Sequence, residues 1–95
     1  MDYSIVEEPS FKEAVDKLGG SYRVDAALEA LVEPLSKKPH EFKSIEIGPH
    51  RFRYAVTKRI GNTIPPLVIV FTIDDSRSVV KLQHVEEADF PYGEI

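Results

Sequence analysis

The apolar positions of this chain change period partway along it. Between Phe11 and Leu35 they recur every three or four residues, the spacing of a helix with one buried stripe. From Ile45 onward they alternate or run together, the spacing of strands. Ahead of the helical stretch, Tyr3 to Val6 predicts a short opening strand bounded by Glu7, Glu8 and Pro9. Ser10 and Glu13 make a capping box, S-x-x-E, for a first helix. Phe11, Ala14, Val15 and Leu18 form its apolar face, and Gly19-Gly20 stops it. A second helix begins at Ser21 or Tyr22, with Val24, Leu28, Leu31 and Leu35 as its stripe. Pro34 breaks the backbone hydrogen-bond pattern, so this helix should kink or end near there. Two helices joined by a glycine pair predict an antiparallel hairpin.

The strands follow. Ile45 and Ile47 alternate with Ser44 and Glu46, and Gly48-Pro49-His50 is a turn. Next comes R-F-R-Y-A-V-T-K-R, residues 51 to 59, then G-N-T-I-P-P, which excludes regular structure. Leu67 to Ile73 is almost continuously apolar and predicts a central strand covered on both faces. Asp74-Asp75-Ser76 turns the chain, and Ser78 to Val85 is the last strand. Residues 86–95 read as an acidic, irregular tail. Ninety-five residues make one domain. The order strand, helix, helix, then three or four strands is an α+β layout, with a helical hairpin on one face of a mainly antiparallel sheet. The other face is left partly open.

The arginine strand predicts what that open face carries. Arg51, Arg53 and Arg59 share one side with Ala55 and Thr57; Phe52, Tyr54, Val56 and Ile60 share the other. The apolar side is expected on the core and the arginine stripe on the open face. Arginine forks suit phosphates and carboxylates. The competing role for Arg51 and Arg53 is cross-strand pairing, with Glu46 as partner. Arg59 reads as a solvated strand-end charge, and Lys58 as a snorkelling stem on the apolar side. Phe52, Tyr54 and Phe71 have the chemistry of stacking platforms, but core packing is the stronger reading. His84 carries an imidazole, a group that can act as acid or base. Strict alternation puts it with Val80 and Leu82 on the core side; a bulge near Gln83 would reverse that. His40 and His50 sit in proline-containing turns.

Charge sharpens the contrast. Residues 1–36 carry eight acidic and three basic side chains, a balance of −5. Residues 37–84 carry nine basic and four acidic, a balance of +5, and residues 85–95 add four acidic ones, −4. A basic middle can meet a polyanion even in a chain of net charge −4. There is no cysteine, which excludes disulfides and thiolate chemistry. No spacing resembles a metal site and no glycine-rich phosphate loop is present, so neither metal nor cofactor is expected. The longest apolar run, Leu67 to Phe71, is too short to span a bilayer, and the start lacks the pattern of a signal peptide. A cytoplasmic location away from membranes fits.

The order of the pieces resembles the RelE/ParE family of toxins from bacterial toxin–antitoxin pairs. The parts that carry the resemblance are a helical hairpin ending in L-S-K-K-P, then I-x-I-G-x-H-R-F-R, V-I-V-F-T-I-D-D and V-V-K-L-Q-H-V, from Tyr3 to about His84. The resemblance implies a small antitoxin as partner. It also implies one of two targets, messenger RNA in the ribosome or DNA gyrase; nothing in the sequence favours gyrase. On the ribonuclease branch, Arg51 and Arg53 fall where the family carries basic residues on the strand after the first hairpin, as phosphate ligands beside Arg59. His84 falls at the family's terminal histidine, and Tyr92 stands for a terminal tyrosine, both in proton transfer. The chain departs from the pattern at Leu67-Val68, where the family often reads aromatic-Arg. It departs again at Glu86-Glu87, where arginines often follow the histidine. Those departures define an alternative: a non-catalytic module on the same fold, holding an acidic partner protein.

Overall fold

The computed structural model describes residues 2–58 and 66–88. Arg59, Ile60, the Gly61 loop and the tail with Tyr92 lie outside the described residues. The elements are β1 (Ser4–Glu7), α1 (Pro9–Lys17), α2 (Ser21–Glu29), α3 (Val32–Lys37), a 3-10 turn (Pro39–Glu41), β2 (Lys43–Ile47), β3 (His50–Val56), β4 (Leu67–Asp74) and β5 (Val79–Glu87). The strands form one sheet in the order β1-β5-β4-β3-β2. β1 runs parallel to β5, and the other pairs are antiparallel. The α+β reading therefore holds.

Helix α1 starts differently from its capping box. Pro9 takes the first helical position, where its missing N–H costs nothing and its fixed φ suits the turn. Ser10 is thereby inside the helix, and its hydroxyl donates to the Gln83 carbonyl at 2.6 Å. Phe11, Ala14 and Val15 are buried. Gly19 and Gly20 have φ of 97° and 112°, and their N–H groups donate back to Asp16 and Val15 at 3.1 Å each. Only glycine takes such backbone angles at no steric cost.

The second helix is two helices, and Pro34 explains where they part. A proline ring clashes with the carbonyl four residues back, here that of Ala30. The chain accordingly leaves the helix at Ala30 and Leu31 and restarts at Val32. Pro34 then falls in the first turn of α3, where its absent N–H has no helical partner to lose. The break lies four residues before the proline, not at it.

All three helices pack on one side of the sheet. Phe11, Val24, Ala27 and Leu35 meet a floor of Ala55, Leu67, Ile69, Phe71, Val80 and Leu82 in one core cluster. Register fixes which side of β3 this is. Ala55 pairs with Ile69, and Ile69 with Val85, all buried. The side of β3 that carries Arg51, Arg53, Ala55 and Thr57 is therefore the helix side, opposite to the sequence expectation. Alternation gives parity but no sidedness. The small Ala55 and Thr57 fit beneath the helix layer, while half-buried Phe52 and Tyr54 face away from it.

A bulge resets β5. Val70 pairs with His84, but the next residue, Phe71, pairs with Leu82, so Gln83 is extra. Leu82 and Val85 both point to the core. His84 is exposed on the open face, not on the core side that strict alternation gives it. The strand also continues through Glu86 and Glu87, beyond the predicted end at Val85.

Candidate binding face and a charged corner

The open face is built from the alternate positions of four strands. β2 supplies Ile45 and Ile47, β3 supplies Phe52 and Tyr54, β4 supplies Val68 and Val70, and β5 supplies Gln83, His84 and Glu86. Together they line a groove of about 380 Å³. Its floor is apolar. Val68 is 1% exposed, whereas Ile47 at the far end is 54% exposed. The β5 side is polar. His84 Nε2 lies 3.2 Å from Glu86 Oε1, and Gln83 donates to the Thr72 hydroxyl at 3.0 Å. Glu86 stands opposite Val68 in register, so its carboxylate borders the apolar floor. No lysine or arginine is among the described residues that line this groove. Lys81, on the same face of β5, is drawn to Asp74 at 3.9 Å.

The two described arginines of the stripe are occupied elsewhere. Arg51 Nη2 meets Glu46 Oε1 at 3.2 Å across the β2–β3 pair, the cross-strand partnership that spacing offered. Arg53 Nη1 donates to two carbonyls, those of His40 at 3.0 Å and Phe42 at 2.7 Å. It fastens the 3-10 turn to β3. The open face is thus not basic where the sequence reading made it so.

Around Arg53 lies a corner that pattern alone missed. The Tyr3 hydroxyl donates to Asp75 Oδ1 at 2.7 Å, and His40 Nε2 lies 3.0 Å from the same carboxylate. The rings of Tyr3 and His40 meet edge to face, 5.8 Å apart. The Tyr3 hydrogen bond, then that of His40, hold the Asp75 carboxyl below its ordinary range; the nearby Arg53 charge adds to this. The same bond pushes the Tyr3 phenol up. Asp75 lies in a turn and His40 beside a proline, so each reads as punctuation, and their meeting depends on strand order. His84 left more of a trace. In Leu82-Gln83-His84-Val85 two polar residues separate apolar ones, which is the signature of the bulge.

Among the described residues no group of three His, Asp or Glu side chains could hold a metal ion, and no helix is long and apolar enough to cross a membrane.

A mainly antiparallel five-stranded sheet, with helices on one side and a parallel strand at one edge, is here the RelE-like fold. The chain matches one from the crystal structure of the toxin–antitoxin complex RelBE2 of Mycobacterium tuberculosis, with a TM-score of 0.68 over 93% of each chain and 19% identity. No family model matches the sequence, and no curated protein matches it either.

Proposed function

We propose that this chain is the RelE-fold half of a toxin–antitoxin pair, and that it binds its partner protein without cutting RNA. The observation that carries this is the likeness, over 93% of both chains, to a chain solved within a toxin–antitoxin complex. The groove supports the second half. Cleavage of a phosphodiester needs positive charge held where charge develops on the phosphate. The described lining presents Glu86 and no arginine or lysine. Such a pair works in the bacterial cytoplasm. The test is co-expression with the product of the adjacent reading frame, followed by size-exclusion chromatography with light scattering. A stable stoichiometric complex is expected; two separate species would end this reading.

One observation favours a second reading, action on ribosome-bound messenger RNA. The bulge carries His84 onto the open face, exposed beside Glu86, where an acid–base group would have to stand. Arg59 and Tyr92 would then have to supply an anion ligand and a second proton-transfer group. Adding the chain to a purified translation system decides. Transcript cleavage that disappears in His84→Ala would establish this reading; intact transcripts leave the binding role.

A further inference from the structure

From the free edge of β2 we infer a self-association surface: the strand pairs antiparallel with β2 of a second copy, centred on Ile45. This stands apart from the pair reading and does not rest on it. β2 ends the sheet, with β3 on one side and, among the described residues, no strand on the other. At the opposite edge α3 closes off β1, where the Tyr3 N–H donates to the Ser36 carbonyl at 2.7 Å. Lys43, Ser44, Glu46 and Ile47 are exposed, and no β2 residue joins the core cluster. The helix layer therefore leaves both faces of β2 clear. One bond fixes where its backbone groups point. The Thr57 N–H donates to the Leu67 carbonyl at 2.8 Å. The odd residues of β3 thus turn their backbone groups to β4, and the even ones turn theirs to β2. Those even residues pair with Lys43, Ile45 and Ile47. Ser44 and Glu46 accordingly turn N–H and C=O outward along the free edge.

Symmetry and charge choose the register. Opposed residues of two strands share a face, so a two-fold pairing of identical edges centres on one residue. Centring on Glu46 sets that carboxylate against its own copy. Centring on Ser44 calls on Phe42, whose N–H already donates to Pro39 and whose carbonyl already accepts from Arg53. Centring on Ile45 opposes Ser44 to Glu46 twice over, and their outward groups make about four hydrogen bonds. On the helix side the row across the seam then reads Arg53, Ser44, Glu46, Arg51, with no like charges adjacent. On the open side it reads Phe52, Ile45, Ile45, Phe52, an unbroken apolar row. Lys43 falls opposite Ile47, and its stem covers a side chain that is 54% exposed in the single chain.

The chain has no cysteine, so a single introduced one reports the register. Across the seam the two Ile45 positions form a non-hydrogen-bonded pair, about 4.5 Å between Cα atoms and within disulfide reach. The two Ile47 positions lie about 13 Å apart along the strands, beyond it. Under glutathione oxidation the full chain carrying Ile45→Cys should cross-link about tenfold faster than the one carrying Ile47→Cys. Light scattering of the unaltered chain should show its mass rising toward a dimer by about 1 mM, since so small an interface binds weakly. Ser44→Glu sets like charges across the seam twice and should weaken the dimer about fivefold, while Ser44→Lys should strengthen it about fivefold. Equal cross-linking at positions 45 and 47, a monomer at every concentration, or equal dimer strength in the two Ser44 variants would overturn the inference. So would amide exchange at Ser44 and Glu46 that slows with the adjacent reading frame's product but not with the chain's own concentration, because the edge would then belong to that product.

Discussion

The two sides of β3 use opposite residues for opposite ends. On the helix side small Ala55 and Thr57 are buried, and Arg53 is bound to backbone carbonyls. On the open side Phe52 and Tyr54 are large, aromatic and half-covered. Size does not mark the core here. On β3 the small side chains lie on the helix side and the bulky ones on the open side. Arginine, usually read as an invitation to a ligand, serves on the helix side to tie the chain to itself.

That contrast breaks most readily in the core. Phe71, on the helix side of β4, is fully buried, so Phe71→Ala should cost about 3–5 kcal/mol in chemical denaturation. Ile47→Ser, on the open face, should leave stability within about 0.5 kcal/mol. If the two substitutions proved equally damaging, the distinction between the faces would be lost. Arg53→Ala comes next, at about 1–3 kcal/mol, because two carbonyl acceptors lose their donor. Arg53→Lys should restore part of it, since a single nitrogen, Nη1, makes both bonds and an ammonium carries three donors. A calorimetric scan of both variants checks this.

The charged corner adds a pH signature to the helix side. The folded Asp75 carboxyl lies below its unfolded value, so its contribution is present above that unfolded value, about pH 4. It is lost as pH falls through the lower, folded value. The raised Tyr3 phenol works at the other limit: its contribution is present below about pH 10 and lost as pH rises through the folded value. Urea midpoints measured across pH should fall at both extremes. Asp75→Asn should flatten the acid limb, and an unchanged acid limb would remove Asp75 from the account. The smallest effect expected is Arg51→Ala, within about 0.5 kcal/mol, since its pair with Glu46 is exposed at the sheet's end.

Periodicity carried most of the fold and little of the site. The change from helical to strand spacing located the five strands and the start of each predicted helix to within a few residues, but neither the separate α3 nor the 3-10 turn at Pro39–Glu41. Pro34 marked a real break, but its clash acts on Ala30, so the break came earlier than the proline. Ser10 lost the capping role because Pro9 is better suited to the first helical position. The inverted faces of β3 have a different cause. A period of two says which residues go together and leaves open which group faces the helices. That choice is made by neighbours such as Ile69 and Phe71, far away in sequence. His84 depended on one extra residue, Gln83, and the run of two polar positions there outweighs the alternation around it. The Tyr3, His40 and Asp75 corner joins residues from three distant segments, which no local pattern can announce.

The parallel pairing of β1 with β5 has a consequence for synthesis. Ser4 to Glu7 hydrogen-bonds with Val79 to Leu82, so the first strand made waits for the last. Such distant pairing slows folding, because a long loop must close before any contact rewards it. A nascent chain on the ribosome can form the β2–β3 hairpin and add β4, yet it lacks the polar wall that Gln83, His84 and Glu86 give the groove. The groove on the open face is therefore the last part of the surface to be completed, and it closes only when β5 joins the sheet.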